Sequence, residues 1–156
     1  MAHEVTEDEV GKAVRRRLLP WFAKTARDLP WRRNRTPYRV LVSELMLQQT
    51  RVAQAVPYFR RFVERFPNLG SLASADLEDV LHVWQGLGYY GRARRLHDLA
   101  REVVQRRRGR LPETEQELAA LPGIGPYTAA AVASLAHGRQ VAVVDGNVRR
   151  VLCRLL

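Results

Sequence analysis

Asp145 and Glu44 are the two carboxylates whose surroundings in this chain point to chemistry. Asp145 stands in Val144-Asp145-Gly146-Asn147, directly ahead of a helical pattern, where aspartate is a favoured N-cap. Backbone N–H groups and the positive end of a helix lower a carboxylate's pKa at such a position. The group then stays ionised at neutral pH and can face a developing positive charge. Cleavage of an N-glycosidic bond builds that charge on the sugar, as an oxocarbenium-like species. The plainer reading is a cap and nothing more, stabilising the helix by about 1 kcal/mol. Glu44 lies mid-helix in Val42-Ser43-Glu44-Leu45-Met46-Leu47, inside an otherwise apolar stretch. A carboxyl in such surroundings tends towards a raised pKa and can serve as a general acid. The alternative is a partly buried glutamate paired with one of the many arginines.

Between the two lies Leu121-Pro122-Gly123-Ile124-Gly125-Pro126-Tyr127-Thr128, flanked on both sides by helical pattern. Gly123 and Gly125 permit a tight turn with φ > 0 and close approach of the backbone to a ligand. The helix that follows points its N–H groups and positive end at the same place, so a phosphate can bind there with little side-chain help. An ordinary corner of a helical bundle is the alternative. Gln48-Gln49-Thr50 closes the helix that carries Glu44, and amides can bond base edges as donor and acceptor; exposed polar helix ends are the commoner occurrence. Leu87 and Tyr89-Tyr90 sit beside Gly86 and Gly88. A loop there can expose an apolar wedge of the kind that kinks DNA and extrudes a nucleotide, or these residues are core.

The chain has 156 residues and a net charge of +10, enough for one domain or one domain plus part of another. Such a charge points to a polyanionic partner such as nucleic acid, with solubility as the plainer reading. Lysine occurs only as Lys12 and Lys24, so nearly all of the positive charge is arginine, the residue suited to bidentate phosphate contact. Arginines cluster at 15–17, at 92, 94 and 95, and at 106–108; each cluster taken singly also reads as a solvated helix face. Cys153 is the only cysteine, so no disulfide forms within the chain and a cytoplasmic location fits, nucleoid-associated in a bacterium. No run approaches the roughly 20 apolar residues of a membrane span. The four histidines show no metal-ligand spacing, and His82 and His97 read as helix-face residues.

The elements that must position these groups read as all helical. Thr6-x-x-Glu9 forms a capping box for a helix running towards Trp21 and Phe22, kinked or interrupted at Pro20. Asp28 to Trp31 reads as a loop. Thr36 caps a helix with Pro37 as its first residue, carrying an apolar stripe through about Val52. Pro57 opens the next helix, which stops before Pro67. Ser74 or Asp76 starts a short helix through Trp84, Gly86-Leu87-Gly88 breaks the pattern, and helical spacing resumes from Ala93 until Gly109. Thr114-x-x-Glu117 is a second capping box. The hairpin follows, then an alanine-rich helix from Pro126 to His137 stopped by Gly138. Val141 to Val144 is too short for a sheet, and Asp145 begins a last helix. That helix is apolar at Leu155-Leu156 and carries no stop signal, which reads as the front part of a longer helical protein or a truncated one.

Together the hairpin and Val144-Asp145-Gly146 resemble the helix-hairpin-helix plus Gly/Pro-Asp signature of the endonuclease III superfamily of base-excision DNA glycosylases. The likeness extends in order over Leu29-Pro30-Trp31-Arg32, Thr36-Pro37-Tyr38, Ser43 to Thr50, Pro57-Tyr58-Phe59, Trp84 to Tyr90, the hairpin and Val144 to Arg150. With Met46-Leu47-Gln48-Gln49-Thr50 and Gly86-Leu87-Gly88-Tyr89-Tyr90 it resembles the catalytic region of MutY-type adenine DNA glycosylases over roughly residues 6–156. The resemblance implies an all-α fold. Residues 1–26 are its N-terminal helix, packing with a second, iron–sulfur-type subdomain; 27–137 form a six-helix domain with the helix-hairpin-helix at 114–137; and 138–156 start the second subdomain.

The resemblance further implies an enzyme acting as a monomer on double-stranded DNA, with no membrane partner. Such enzymes remove adenine mispaired with 8-oxoguanine or guanine. Glu44 takes the place of the acid that protonates adenine N7. Asp145 takes that of the carboxylate that stabilises the sugar cation, by its charge or through a transient covalent adduct. Asn147 and Tyr127 match positions that organise that site. Arg27, Leu29, Trp31 and Arg32 match the wall of the extruded-adenine pocket, while Gln49, Thr50, Leu87 and Tyr89 match residues that probe or wedge around the opposing lesion. Gln48 belongs with them on the DNA side, as do Gly123 and Gly125 at the hairpin, which is also a candidate site for a monovalent cation. The family's four-iron, four-sulfur cluster is held by four cysteines downstream of the last matched helix; these ligands are absent here, so no metal is expected on this chain. Position 127 separates two relatives. Bifunctional enzymes of the endonuclease III type carry a lysine there, which attacks the sugar as an amine; Tyr127 points instead to a monofunctional hydrolase. Two rivals remain open at this point, a non-catalytic helix-hairpin-helix DNA-binding fragment and a glycosylase for another base.

Overall fold

The computed structural model describes residues 7–155. Among these the chain is all helical, in the order α1 (Glu7–Thr25), α2 (Pro30–Arg33), α3 (Pro37–Leu47), α4 (Val52–Arg65), α5 (Leu69–Ala73), α6 (Leu77–Trp84), α7 (Gly91–Arg107), α8 (Glu115–Ala119), α9 (Pro126–His137) and α10 (Gly146–Leu155). No helix of the described residues is long and apolar enough to cross a membrane. Contacts divide the chain into two units, one of residues 1–28 with 144–156 and one of 29–143.

The larger unit is built around α3. Thr36 accepts the N–H of Arg39 at 3.3 Å and Pro37 supplies a pre-set first φ, so the helix begins where the sequence places it. Val40, Leu41, Val42, Leu45 and Met46 are buried, and α3 packs against α2, α4, α7 and α9. Its partner α9 is buried through Thr128 and Ala129 to Ala133, small residues that let two helix backbones come close. α9 stops at Gly138, which has φ 67°, with Arg139 N–H bonded back to the Ala133 carbonyl at 3.0 Å. Helix α4 is strongly amphipathic: Ala55, Phe59, Phe62 and Phe66 recur at helical spacing and are fully buried. Phe62 meets Phe66 and the buried Trp84 edge to face, with ring centroids 5.1 and 5.6 Å apart.

Several boundaries differ from the sequence expectation, each for a local reason. The cap expected at Thr6 lies outside the described residues. α1 runs through Pro20 rather than breaking there; proline removes one rung of the ladder and leaves the rest. Asp28 to Trp31 is not all loop: Leu29 caps a single turn, with its carbonyl accepting Arg32 N–H at 2.9 Å. α3 ends at Leu47 instead of continuing to Val52, because Gln49 takes a left-handed φ of 55°. α4 opens at Val52 rather than Pro57; Ala55 carries the apolar stripe back into the core, and Pro57 sits on the exposed side. α5 was not foreseen. Asn68 accepts Ser71 N–H at 2.9 Å while Ser71 Oγ accepts Asn68 N–H at 3.2 Å, a reciprocal box built without glutamate. At Thr114 the box is also modified. Its hydroxyl accepts Glu117 N–H at 3.3 Å, but the Glu117 carboxylate accepts the hydroxyl proton at 2.8 Å, and this bond, then Arg107, holds that carboxyl below its ordinary pKa.

One turn shapes the loop between α6 and α7. Gly86 has φ +93°, and a Cβ there would overlap the Tyr58 hydroxyl. Tyr58 is itself covered by Arg61, whose guanidinium lies 4.8 Å from the ring centroid and donates to the Val83 carbonyl at 2.7 Å. Gly86→Ala is expected to destabilise the chain by about 1–3 kcal/mol in urea unfolding. In a Tyr58→Phe background the cost should shrink without vanishing, since the positive φ remains. A cost unaffected by the second substitution would reject the contact with Tyr58.

Candidate active site and nucleic-acid surface

The hairpin between α8 and α9 is anchored by two buried side chains, Leu121 and Ile124. Leu121 N–H bonds to the Leu118 carbonyl at 3.1 Å and Ile124 N–H to the Leu121 carbonyl at 3.2 Å, which folds the turn onto itself. Only one of its two glycines is required by backbone conformation. Gly123 has φ +76°, and a Cβ there would sit 2.9 Å from Cβ of Arg95, so the turn rests on the Arg95 stem. Gly125 has φ −84° and is the N-cap of α9, with nothing within 4 Å of a built Cβ. What Gly125 gives is an uncovered approach to the first turn of α9, where no side chain caps the helix. Tyr127, in that turn, is 39% exposed.

Glu44 lies in the middle of α3, half-buried between buried Ser43 and Leu45. Leu29 and Trp31 are both buried, Trp31 packing edge to face on Phe59 at 5.2 Å, while Arg32 is half-buried. Arg27 is exposed and belongs to the other unit. Gln49 is exposed, and Gln48 and Thr50 are half-buried at the end of α3. In the loop after α6, Tyr89 is 61% exposed, but Leu87 is only 4% exposed and joins the core. The expectation of an exposed apolar wedge at Leu87 is therefore corrected. Trp84 Nε1 donates to the Gly88 carbonyl at 3.0 Å and curls the loop inward, turning Leu87 under and Tyr89 out.

Arg92 is the residue that sequence reasoning missed. It appears in the sequence as one of a basic cluster, yet it is 3% exposed. Its Nη1 donates to the carbonyls of Leu45 at 3.0 Å, Met46 at 2.9 Å and Gln48, and to Thr50 Oγ1 at 3.2 Å. Its Nη2 donates to the carbonyls of Leu87 and Gly88 at 3.4 and 3.0 Å, and its Nε to that of Tyr89 at 3.4 Å. The guanidinium also lies 5.5 Å from the Trp84 ring and 5.3 Å from that of Tyr89. Burial pulls its pKa below the ordinary arginine value. The only sequence signal was its position at the start of a helix beside a glycine loop. His97 lies on the buried face of α7, with Nε2 at 2.9 Å from the Ala75 carbonyl, to which it donates.

In the smaller unit, Asp145 caps α10. Its Oδ1 accepts Val148 N–H at 2.7 Å and its Oδ2 accepts Asn147 Nδ2 at 3.0 Å. Arg150 donates in turn to Asn147 Oδ1, which fixes the amide's orientation. The Val148 N–H and then the Asn147 amide hold the Asp145 carboxyl below the usual aspartate range, with smaller help from the Asn147 N–H and the charge on Arg150. The carboxylate is held in place by groups that all lie within residues 145–150. Among the described residues no cluster of three or more His, Cys, Asp or Glu could hold a metal ion, and the single thiol of Cys153 does not fit a four-cysteine cluster.

Residues 42–156 match the model of the HhH-GPD superfamily of base excision DNA repair proteins. The chain is 50% identical over 152 residues to the adenine DNA glycosylases of Rattus norvegicus and Homo sapiens, covering 92% of this chain and 30% and 28% of those proteins. It is 44% identical over 138 residues to that of Mycobacterium tuberculosis, covering 88% of this chain and 45% of that one. The chain thus spans less than half the length of these curated relatives. Among solved structures, a thermostable thymine-DNA glycosylase superposes with a TM-score of 0.87 at 30% identity, covering 93% of this chain and 67% of that one. An endonuclease III trapped on DNA superposes with a TM-score of 0.80 at 24% identity over 94% of this chain and 67% of that one, a likeness of fold.

Asn147→Ala should raise the pH at which the Asp145 carboxyl titrates, followed by carboxyl-carbon NMR, yet leave it below an ordinary aspartate because Val148 N–H remains. Because folding depresses this pKa, the cap's contribution is complete above the unfolded value of about 3.9 and is lost as pH falls through the folded one. The variant therefore loses it at a higher pH than the unmodified chain. An unchanged titration would reject Asn147 as the orienting group.

Proposed function

The chain belongs to the HhH-GPD superfamily of base excision DNA repair proteins, and from that premise we propose that it is a monofunctional DNA glycosylase, acting as a monomer on double-stranded DNA. It hydrolyses the N-glycosidic bond of adenine mispaired with 8-oxoguanine or guanine. The observation that carries this reading is the 50% identity, across 92% of the chain, to proteins named adenine DNA glycosylase. The ionised, oriented carboxylate of Asp145 supports it.

In this reading the hairpin holds a backbone phosphate. Gly125 leaves the first turn of α9 open to an anion, and exposed arginines of α7 such as Arg94 add charge. The adenine leaves the stack, because its glycosidic bond is out of reach within a duplex. Leu29, Trp31 and Arg32 wall the extruded base, while Gln48, Gln49, Thr50 and Tyr89 meet the strand that carries the lesion. Glu44 delivers a proton to adenine N7, so the base departs neutral. As the bond lengthens, positive charge grows on the sugar and the Asp145 carboxylate stabilises it electrostatically. Asn147 keeps one carboxylate oxygen engaged and so fixes the orientation of the other. Water completes the hydrolysis and leaves an abasic site. Tyr127 carries a hydroxyl and no amine, so it cannot form the Schiff base through which a lyase breaks the strand. No step runs through an iron–sulfur cluster, since the sequence holds one cysteine and not four.

Single-turnover reactions on a duplex with adenine opposite 8-oxoguanine, developed with alkali, test the reading. The chain should form abasic product, and Asp145→Asn should lower the rate by at least about a thousandfold while duplex affinity stays within about twofold. Asparagine is as good an N-cap as aspartate, so the substitution removes the charge and keeps the helix. Absence of abasic product from folded, DNA-bound chain would leave a non-catalytic binding module as the function. Borohydride added during turnover should trap almost no covalent protein–DNA adduct; efficient trapping would overturn the monofunctional assignment.

A further inference from the structure

Two residues among those described as exposed at the DNA side are held in a backbone conformation that side chains rarely adopt: Gln49 at φ 55° and Tyr89 at φ 49°. Neither is glycine, so each costs conformational free energy that its surroundings must offset. The surroundings are the same in both cases. Gln49 follows the Gln48 carbonyl and precedes Thr50 Oγ1, both accepting from Arg92 Nη1. The carbonyl of Tyr89 accepts from Arg92 twice, from Nε at 3.4 Å and from the backbone N–H at 2.9 Å. One planar guanidinium thus serves the end of α3 with one nitrogen and the loop after α6 with the other two. A lysine ammonium, a single point with three donors, cannot span both.

From this geometry we propose that Arg92 is a positioning residue: it locks the Gln48–Thr50 turn and the Leu87–Tyr89 loop into one unit, so that Gln49 and Tyr89 are presented to DNA together, and discrimination of mispaired from matched duplexes depends on that lock. The inference rests on the reading above that these two residues meet the DNA. Arg92 reaches no substrate itself; it is buried, and its donors are spent on carbonyls and one hydroxyl. Its effect passes through Gln49 and Tyr89, whose side chains remain in solvent.

Hydrogen exchange of the 156-residue chain, read by mass spectrometry over segments 45–51 and 86–91, tests the lock directly. Arg92→Met keeps much of the stem and removes every donor. Both segments should then exchange faster by at least about tenfold, together, while α4 and α9 keep their protection. Arg92→Lys should restore protection to one segment only. The ratio of affinities for a duplex with adenine opposite 8-oxoguanine and for a matched duplex should fall about tenfold in Arg92→Met, the cost expected for losing charge-assisted bonds, with matched-duplex affinity unchanged. Loosening of a single segment in Arg92→Met, or an unchanged affinity ratio, overturns the proposal. Should Arg92→Met expose every amide, Arg92→Lys decides alone: protection of one segment supports the lock, and equal protection of both overturns it. A parent chain that shows no mispair preference defeats the adenine-mispair reading instead, and the exchange arm still judges the coupling.

Discussion

A single buried guanidinium is the constraint on which the turn after α3 and the loop after α6 both depend. The end of α3 leaves carbonyls without intrahelical partners and carries the negative end of the helix dipole. The loop after α6 turns its own carbonyls inward as it curls around Trp84. Arg92 answers both needs from one place, and its acceptors are six carbonyls and one hydroxyl rather than a carboxylate. Removing a cation from water costs several kcal/mol. Hydrogen bonds to a charged donor return about 1.5–3 kcal/mol each, and only when every donor is placed. The arrangement fixes where α3 ends, how α7 begins and which face the intervening loop presents.

Much of this fold was legible because the signals were local. Thr36-Pro37 begins α3, Gly138 ends α9, and Gly86 breaks the chain between α6 and α7, each through the backbone preference of one or two residues. The apolar spacing of Phe59, Phe62 and Phe66 states which side of α4 is buried. The errors arose where tertiary burial overrides a local preference. Pro20 reads as a kink or interruption and Pro57 as a helix start, yet one lost rung is tolerated within helices of 19 and 14 residues. The short turns α2 and α5 have too few residues to show a period; burial of Leu29, Trp31, Leu69 and Leu72 stabilises them.

The candidate site divides in the same way. The hairpin and the Asp145 cap are runs of consecutive residues, so their geometry follows from order and spacing. The burial of Arg92, Leu87 and His97 is not a property of any run. An arginine among arginines gives no sign that it is the one turned inward; that depends on carbonyls more than forty positions earlier in the chain. Leu87 and Tyr89 are two residues apart in one loop, and the fold sends one into the core and the other into solvent.

The two carboxylates singled out in the sequence show the same division. Val148, Asn147 and Arg150, all within five residues, hold the Asp145 carboxyl below the usual aspartate range. A carboxyl that must carry a proton to a base at neutral pH has the opposite requirement. No helix terminus can supply it, since helix N-termini favour the anion and Glu44 sits in mid-helix. A carboxylate that stabilises a cation can therefore be written into four residues, whereas a general acid needs a fold around it. For that reason the cap at Asp145 can be read from its neighbours in sequence, while the residues around Glu44 leave acid and ion pair equally open.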